Sequence, residues 1–266
     1  MGDIKIAALP LDILSGEPSE NVARALDMID KLPDDVDVAV LPELFTTGFI
    51  PDKEKMMALA EPGHGPTLAA LREKAAMRGC AISGSIAAVD NGRLYNRGFI
   101  VTPDGNAAFY DKRHLFSVSS EAEIFTAGTG DMPVVGFRGW NISMIICYDL
   151  RFPVWSRNTS HRYDMLLVPA NWPMSRGYAW THLLIARAIE NQAVVVGANR
   201  GGCDDYGDYD GLSQIFDACG MPIGQQCDGG IVMATTSTEQ LEEARRRLPA
   251  HLDADSFLFA GDCAKV

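Results

Sequence analysis

Two runs in this chain, Val38-Ala39-Val40-Leu41-Pro42 and Ile142-Ser143-Met144-Ile145-Ile146, are apolar with scarcely an interruption. An extended chain turns alternate side chains to opposite faces, so such a run is satisfied only where both faces are covered. That requirement points to a layered fold with sheets inside and helices outside. The rest of the pattern agrees. Residues 3–9, 163–169 and 194–198 read as further strands. Residues 21–32 carry Val22, Ala25, Leu26, Ile29 and Leu32 at helical spacing, and 65–79, 177–192 and 239–248 also read as helices. Residues 81–89, 98–102 and 107–110 form successive strands joined at Asn91-Gly92 and Asp104-Gly105, both hairpin-turn pairs. Short strands follow around 213–216, 222–225 and 231–235. The tail after Leu248 has no assignable pattern. Crossovers mixed with hairpins predict α/β layers with mixed sheets. With 266 residues, 47% of them hydrophobic, and no Gly/Ser/Pro linker, one domain over 1–266 is expected.

The formal net charge is −12. A field of that sign does not attract phosphate, so neither nucleic acid nor an anionic membrane is an expected partner. No apolar run approaches the roughly 18 residues of a membrane span, and no basic stretch precedes a long apolar segment as in a signal peptide. The six cysteines, at 80, 147, 203, 219, 227 and 263, form no CxxC pair. Reduced thiols in a cytoplasm are the simplest expectation. Their irregular spacing argues against zinc. The acidic stretch from Cys203 to Asp210 lacks the loop length and terminal Glu of a calcium site, and reads as an exposed loop.

Cys147 closes the second apolar run and is followed by Tyr148-Asp149-Leu150-Arg151-Phe152-Pro153. Pro153 reads as the first turn of a helix, where its missing N–H costs nothing. The thiol then sits on a sharp strand-to-helix turn. Backbone N–H groups there favour a thiolate or a developing oxyanion, and hence a thiol that reacts at neutral pH. A buried structural cysteine is the alternative. A nucleophilic cysteine usually takes a histidine as base, but none of His64, His114, His161, His182 and His251 falls at a buried strand end. Glu43 does: it follows the first apolar run, among apolar neighbours, a suitable setting for a carboxylate that takes a proton and later returns it; a helix-cap or salt-bridge glutamate is the alternative. Lys112 leaves another strand within Tyr110-Asp111-Lys112-Arg113-His114, where an ammonium can meet an oxyanion; an ordinary surface lysine is the alternative.

Taken together, Leu41-Pro42-Glu43, Asp111-Lys112-Arg113-His114-Leu115 and Cys147-Tyr148-Asp149-Leu150-Arg151-Phe152-Pro153 resemble, in order, the three signatures of the nitrilase superfamily, the carbon-nitrogen hydrolases. The similarity continues through Leu166-Leu167-Val168-Pro169-Ala170-Asn171-Trp172-Pro173. Within the superfamily, Glu43-Leu44-Phe45-Thr46-Thr47-Gly48-Phe49 and the Asn171-Trp172-Pro173 loop, with Arg176 and Trp180 beyond, look most like the omega-amidase branch. The resemblance implies a four-layer αββα sandwich of two mixed sheets flanked by helices, and a homodimer of stacked sandwiches. It also implies a cysteine-dependent amidase without cofactor or metal. Such an enzyme hydrolyses the side-chain amide of 2-oxoglutaramate or 2-oxosuccinamate to ammonia and the 2-oxo dicarboxylate through a thioester. Nitriles, carbamoyl groups or other aliphatic amides are alternative substrates, and a non-catalytic interaction module is the alternative outside enzymes.

On that resemblance Cys147 attacks, Glu43 moves the protons, and Lys112 with the backbone N–H of Tyr148 meets the oxyanion. A second carboxylate after the lysine segment falls on Glu121, with Glu123 as its rival. The substrate's remote carboxylate needs a cation. Arg176 is the choice because its loop leaves the C-terminal end of a strand, with Arg113, Arg151 and Arg200 competing. Arg151 is expected to pair with Asp149 or with a carboxylate across an interface. Asn171 is counted with the substrate-binding residues, and Trp172 and Phe45 are candidate pocket walls, core packing being the alternative. Asp210-Gly211-Leu212-Ser213 departs from the family's usual Gly-Asp-Ser or Gly-His-Ser, a change expected to reshape the pocket rim and leave the chemistry alone.

Overall fold

The computed structural model describes residues 2–257, so Cys263 lies outside the described residues. Two sheets stack face to face. In the larger, Asp3–Ala8 pairs in parallel with Val38–Val40, which pairs in parallel with Ala81–Asp90. Arg93–Val101 and Ala107–Asp111 continue it antiparallel on one side, and Val232–Ser237 on the other. In the smaller, Trp140–Met144, Met165–Ala170 and Val194–Asn199 are parallel neighbours, flanked by the antiparallel strands Val134–Phe137 and Gln214–Phe216.

The alternation along each strand assigns the layers. Ile4, Ile6, Val38 and Val40 turn toward Ile142, Met144, Leu167 and Val196 of the second sheet. Ala7, Leu9, Ala39 and Leu41 turn the other way, onto Ala25 and Ile29 of helix Pro18–Asp30 and Leu68, Leu71 and Ala75 of helix Pro66–Arg78. Trp180, Leu184 and Ala188 of helix Gly177–Asn191 cover the far side of the second sheet. Both apolar runs are therefore covered on two faces, and the fold is the αββα sandwich that the resemblance implied. Close approach is set by missing side chains. A Cβ at Gly98 would run into Met144 and Ile146 across the inter-sheet gap, and one at Gly197 would meet Leu184 and Trp180 at 2.6 Å.

Some local expectations change. No α-helix opens at Pro153. A 3₁₀ turn, Cys147–Arg151, comes before it instead, because Phe152, as the residue preceding a proline, is pushed out of the helical region, to φ −116° and ψ 84°. The acidic stretch is not a plain exposed loop: Gly201–Asp204 and Gly207–Asp210 pair as a hairpin that buries Tyr209. Strand Val134–Phe137 and helix Lys53–Leu59 are additional elements, and the tail carries a short 3₁₀ turn at Ala250–Asp253.

Candidate active site

Strands Val38–Val40, Ala107–Asp111, Trp140–Met144 and Met165–Ala170 lead into Glu43, Lys112, Cys147 and Asn171 respectively, and the four residues converge at one end of the sandwich, lining one pocket. Backbone geometry sharpens two of these exits. Leu44, next to Glu43, has φ 44°, and Cys147 itself has φ 43°. Non-glycine residues rarely adopt this region, and they do so where surrounding contacts enforce it. At Leu44 the enforcing contact is its N–H on Ser85 Oγ, 2.8 Å. At Cys147 it is Asp149, whose carboxylate accepts the Ile146 N–H at 3.1 Å while its own N–H donates to the Ile146 carbonyl at 2.9 Å.

Lys112 Nζ lies 2.7 Å from Glu43 Oε1 and 2.8 Å from Glu121 Oε1, and all three side chains are buried. Burial alone would depress the ammonium, but the charges of Glu121 and Glu43 outweigh it and hold Lys112 well above its ordinary value. Lys112 stays charged at any working pH. Of the two rival carboxylates, Glu121 is buried against Lys112 and also accepts the Phe116 N–H, while Glu123 is exposed. The remaining oxygen of Glu43 accepts the Asn171 N–H at 2.9 Å.

The thiol departs from expectation. Burial first, and then the charge of its hydrogen-bonding neighbour Glu43, push Cys147 well above the ordinary thiol range; Lys112 opposes them without prevailing. The sulfur thus rests as a thiol, held so by burial first and by the neighbouring negative charge second. The Tyr148 N–H donates to no backbone or side-chain acceptor among the described residues, and Tyr148 lines the pocket.

The carbon-nitrogen hydrolase family profile matches residues 5–246. The chain belongs to the carbon-nitrogen hydrolase family. It is 42% identical to omega-amidase YafV of Yersinia enterocolitica over 97% of this chain and 99% of that one. It is 35% identical to 2-oxoglutaramate amidase of Bacillus subtilis over 96% and 98%. A crystal structure of a carbon-nitrogen hydrolase superfamily protein from Xanthomonas campestris, with an arsenic adduct in its active site, superposes with a TM-score of 0.89 at 38% identity, covering 97% of this chain and 100% of that one.

The mouth of this hydrolase's pocket carries two guanidinium groups. Arg176 rests 5.2 Å from the Phe116 ring and Arg151 4.8 Å from the Trp172 ring, and neither forms an ion pair among the described residues. Arg151 therefore does not pair with Asp149, whose carboxylate is turned inward to Tyr110, His114 and the Ile146 N–H. The other competitors lie elsewhere. Arg200 is buried and bound to Asp204 at 2.8 Å, and Arg113 lies over Trp155. Trp172 lines the pocket, but Phe45 does not; it packs edge-on against Phe99 in the core. Tyr206 and Tyr209 of the acidic hairpin supply wall in its place. Asn199, which no motif marked, holds the Trp172 loop through its amide, accepting the Trp172 N–H and donating to the Trp172 carbonyl, each at 2.8 Å. Its signal in the sequence was only its place at a strand end.

Proposed function

We propose that this chain is a cysteine-dependent amidase that releases ammonia from the side-chain amide of 2-oxo dicarboxylate monoamides, 2-oxoglutaramate among them. The observation that carries the reading is the buried Lys112 ammonium held between Glu43 and Glu121 in the wall that also presents Cys147. As Cys147 Sγ attacks the amide carbon, Glu43 takes the thiol proton. The oxygen gathers charge facing the unused Tyr148 N–H and Lys112. An ammonium has three N–H bonds; with one on Glu43 and one shared by the two oxygens of Glu121, the third is left for the oxyanion. Glu43 then protonates the departing nitrogen, a thioester remains, and water activated by Glu43 hydrolyses it. Glu121 keeps Lys112 charged and aimed. Each step uses only groups of this chain and water.

The relatives' names and the two guanidiniums at the mouth, which form no ion pair among the described residues, support an anionic substrate. In a chain of net charge −12, local cations must hold its carboxylate. Arg176, with Arg151 beside the same pocket, takes that role, and Asn171, Trp172 and Tyr148 frame the chain between carboxylate and amide. The reading includes a homodimer, supported by the exposed stripe Tyr178, His182 and Ile189 along one helix, and a cytoplasmic enzyme acting as one domain. Ammonia release from 2-oxoglutaramate, 2-oxosuccinamate, a neutral aliphatic amide, a nitrile and a carbamoyl compound tests the substrate class. The 2-oxo monoamides should lead in kcat/KM; a nitrile or carbamoyl compound in first place would refute it.

A further inference from the structure

Asn96 belongs to no signature and does not line the pocket, yet it touches every member of the buried charge cluster. It sits in strand Arg93–Val101 opposite Ala87 and is fully buried. Its Nδ2 donates to Glu43 Oε1 at 2.8 Å and reaches Glu121 Oε1 at 3.4 Å. Its main-chain carbonyl accepts the Lys112 N–H at 2.9 Å. The reversed amide would set Oδ1 against two carboxylate oxygens, so the cluster fixes its orientation. Oδ1 is left buried without a donor among the described residues. Such a group is a cost to the fold, which a leucine of similar size would not incur. Packing therefore does not account for an asparagine here.

The acceptor sites of Glu43 account for it. Each carboxylate oxygen offers about two lone-pair sites. Oε1 receives Lys112 Nζ and Asn96 Nδ2, and is filled. Oε2 receives the Asn171 N–H and no other N–H donor among the described residues, which leaves its second site for the thiol. We propose that Asn96 is a positioning residue that makes Oε2 of Glu43 the atom that exchanges protons with Cys147 and the leaving nitrogen. The S–H bond breaks as O–H forms on Oε2; the sulfur electron pair forms the bond to the amide carbon, and the C=O π pair moves to oxygen. In the collapse the oxygen pair re-forms C=O as the C–N bond breaks, and nitrogen keeps the C–N bonding pair and takes the proton from Oε2. Without Asn96 the proton has a second place to go, on Oε1 against Lys112, where it cannot reach the substrate. The inference rests on Glu43 as base and Cys147 as nucleophile.

Asn96→Leu tests it, with kcat and KM for 2-oxoglutaramate followed across pH. The groups that can shape this profile are Lys112, Glu121 and Cys147 around Glu43, and Arg151, Arg176 and Tyr209 in the pocket. The variant should lose about 10- to 100-fold in kcat, with KM within about twofold of the parent. The acid limb of kcat/KM should move to higher pH, because a donor to the ionised base is gone. Unchanged kcat, a lower kcat with an unmoved acid limb, or a loss confined to KM would each overturn the proposal. If Asn96→Leu does not fold, Asn96→Asp, equal in shape, decides: its acid limb should move further up, and an unmoved limb rejects the idea. Glu43→Gln separates the two layers. A nearly active Glu43→Gln removes the base assignment itself, whereas an inactive Glu43→Gln beside a normal Asn96→Leu removes only the role of Asn96.

Discussion

The phenol of Tyr110 donates to Asp149 Oδ2 at 2.8 Å, and this contact joins the strand that leads to Lys112 with the turn that carries Cys147. Asp149 is fully buried and also accepts the His114 N–H at 2.9 Å, while Trp155 Nε1 donates to the Tyr110 oxygen at 2.9 Å. Burial first, then the Asp149 charge, hold the phenol well above its ordinary value, so it remains a donor. Tyr110→Phe should cost about 1–3 kcal/mol, since a buried carboxylate and a buried indole each lose a partner. Urea unfolding gives the stability, and kcat should fall alongside it as the Cys147 turn loosens. Parental stability would show that the contact contributes nothing.

Lys112→Met should cost more than activity. It leaves Glu43 and Glu121 facing each other in the protein interior without a counter-charge. Breaking a buried pair of this kind typically costs about 3–5 kcal/mol. The expected result is a lower urea midpoint together with loss of turnover. A stable but inactive variant would mean that the lysine serves the oxyanion alone.

Cys147 should be slow to alkylate at neutral pH. A thiol held above its ordinary range is mostly protonated there, and thiolate, the reacting form, grows as pH rises through and beyond that range. Iodoacetamide labelling followed by mass spectrometry should therefore accelerate steadily through the alkaline region. A rate already at its plateau near neutral pH would indicate a resting thiolate and contradict the resting thiol.

Arg176→Ala and Arg151→Ala separate the two cations of the pocket mouth. Losing a charge-assisted contact costs about 1.5–3 kcal/mol, or roughly 10- to 100-fold in KM for 2-oxoglutaramate. A neutral amide should be nearly indifferent to both changes. Equal losses on both substrates would point to a disturbed loop, and a variant with no loss on either would clear that arginine.

Gly98→Ala probes the gap between the sheets. Its new methyl would press into Met144 and Ile146, on the strand and exit just before Cys147. Overpacking of this kind costs about 1–3 kcal/mol, measurable as a lowered urea midpoint; a parental midpoint would show that the flexible ends of Met144 and Ile146 swing aside.

Much of this fold is legible in the sequence because a strand covered on both faces is apolar throughout. Strand Val134–Phe137 escapes that reasoning: it is an edge strand with Val134 exposed, and carries no buried run. Glu43, Lys112 and Cys147 stand out because each follows a strand and matches a signature. Asn96 and Asn199 do not, because their roles exist only through partners 53 and 27 residues away. Arg151 misleads for the opposite reason. Asp149 is close in sequence, but the turn points its carboxylate inward and the guanidinium out over Trp172.

The hydrogen bond from the Asn171 N–H to Glu43 Oε2 spans 128 residues and bridges the two halves of the sandwich, for Glu43 follows a strand of one sheet and Asn171 a strand of the other. The strands between Asp3 and Asp111 can pair first, as can those between Val134 and Phe216, but this contact exists only once the two sets have docked. Contacts of such sequence separation form late, after the chain has met its loop-closure cost. Recovered turnover is then a clock for the final step of refolding. After dilution from denaturant, circular dichroism should return ahead of activity, and the interval between them is the lifetime of a species with its shorter-range strand pairs formed and its two sheets not yet docked.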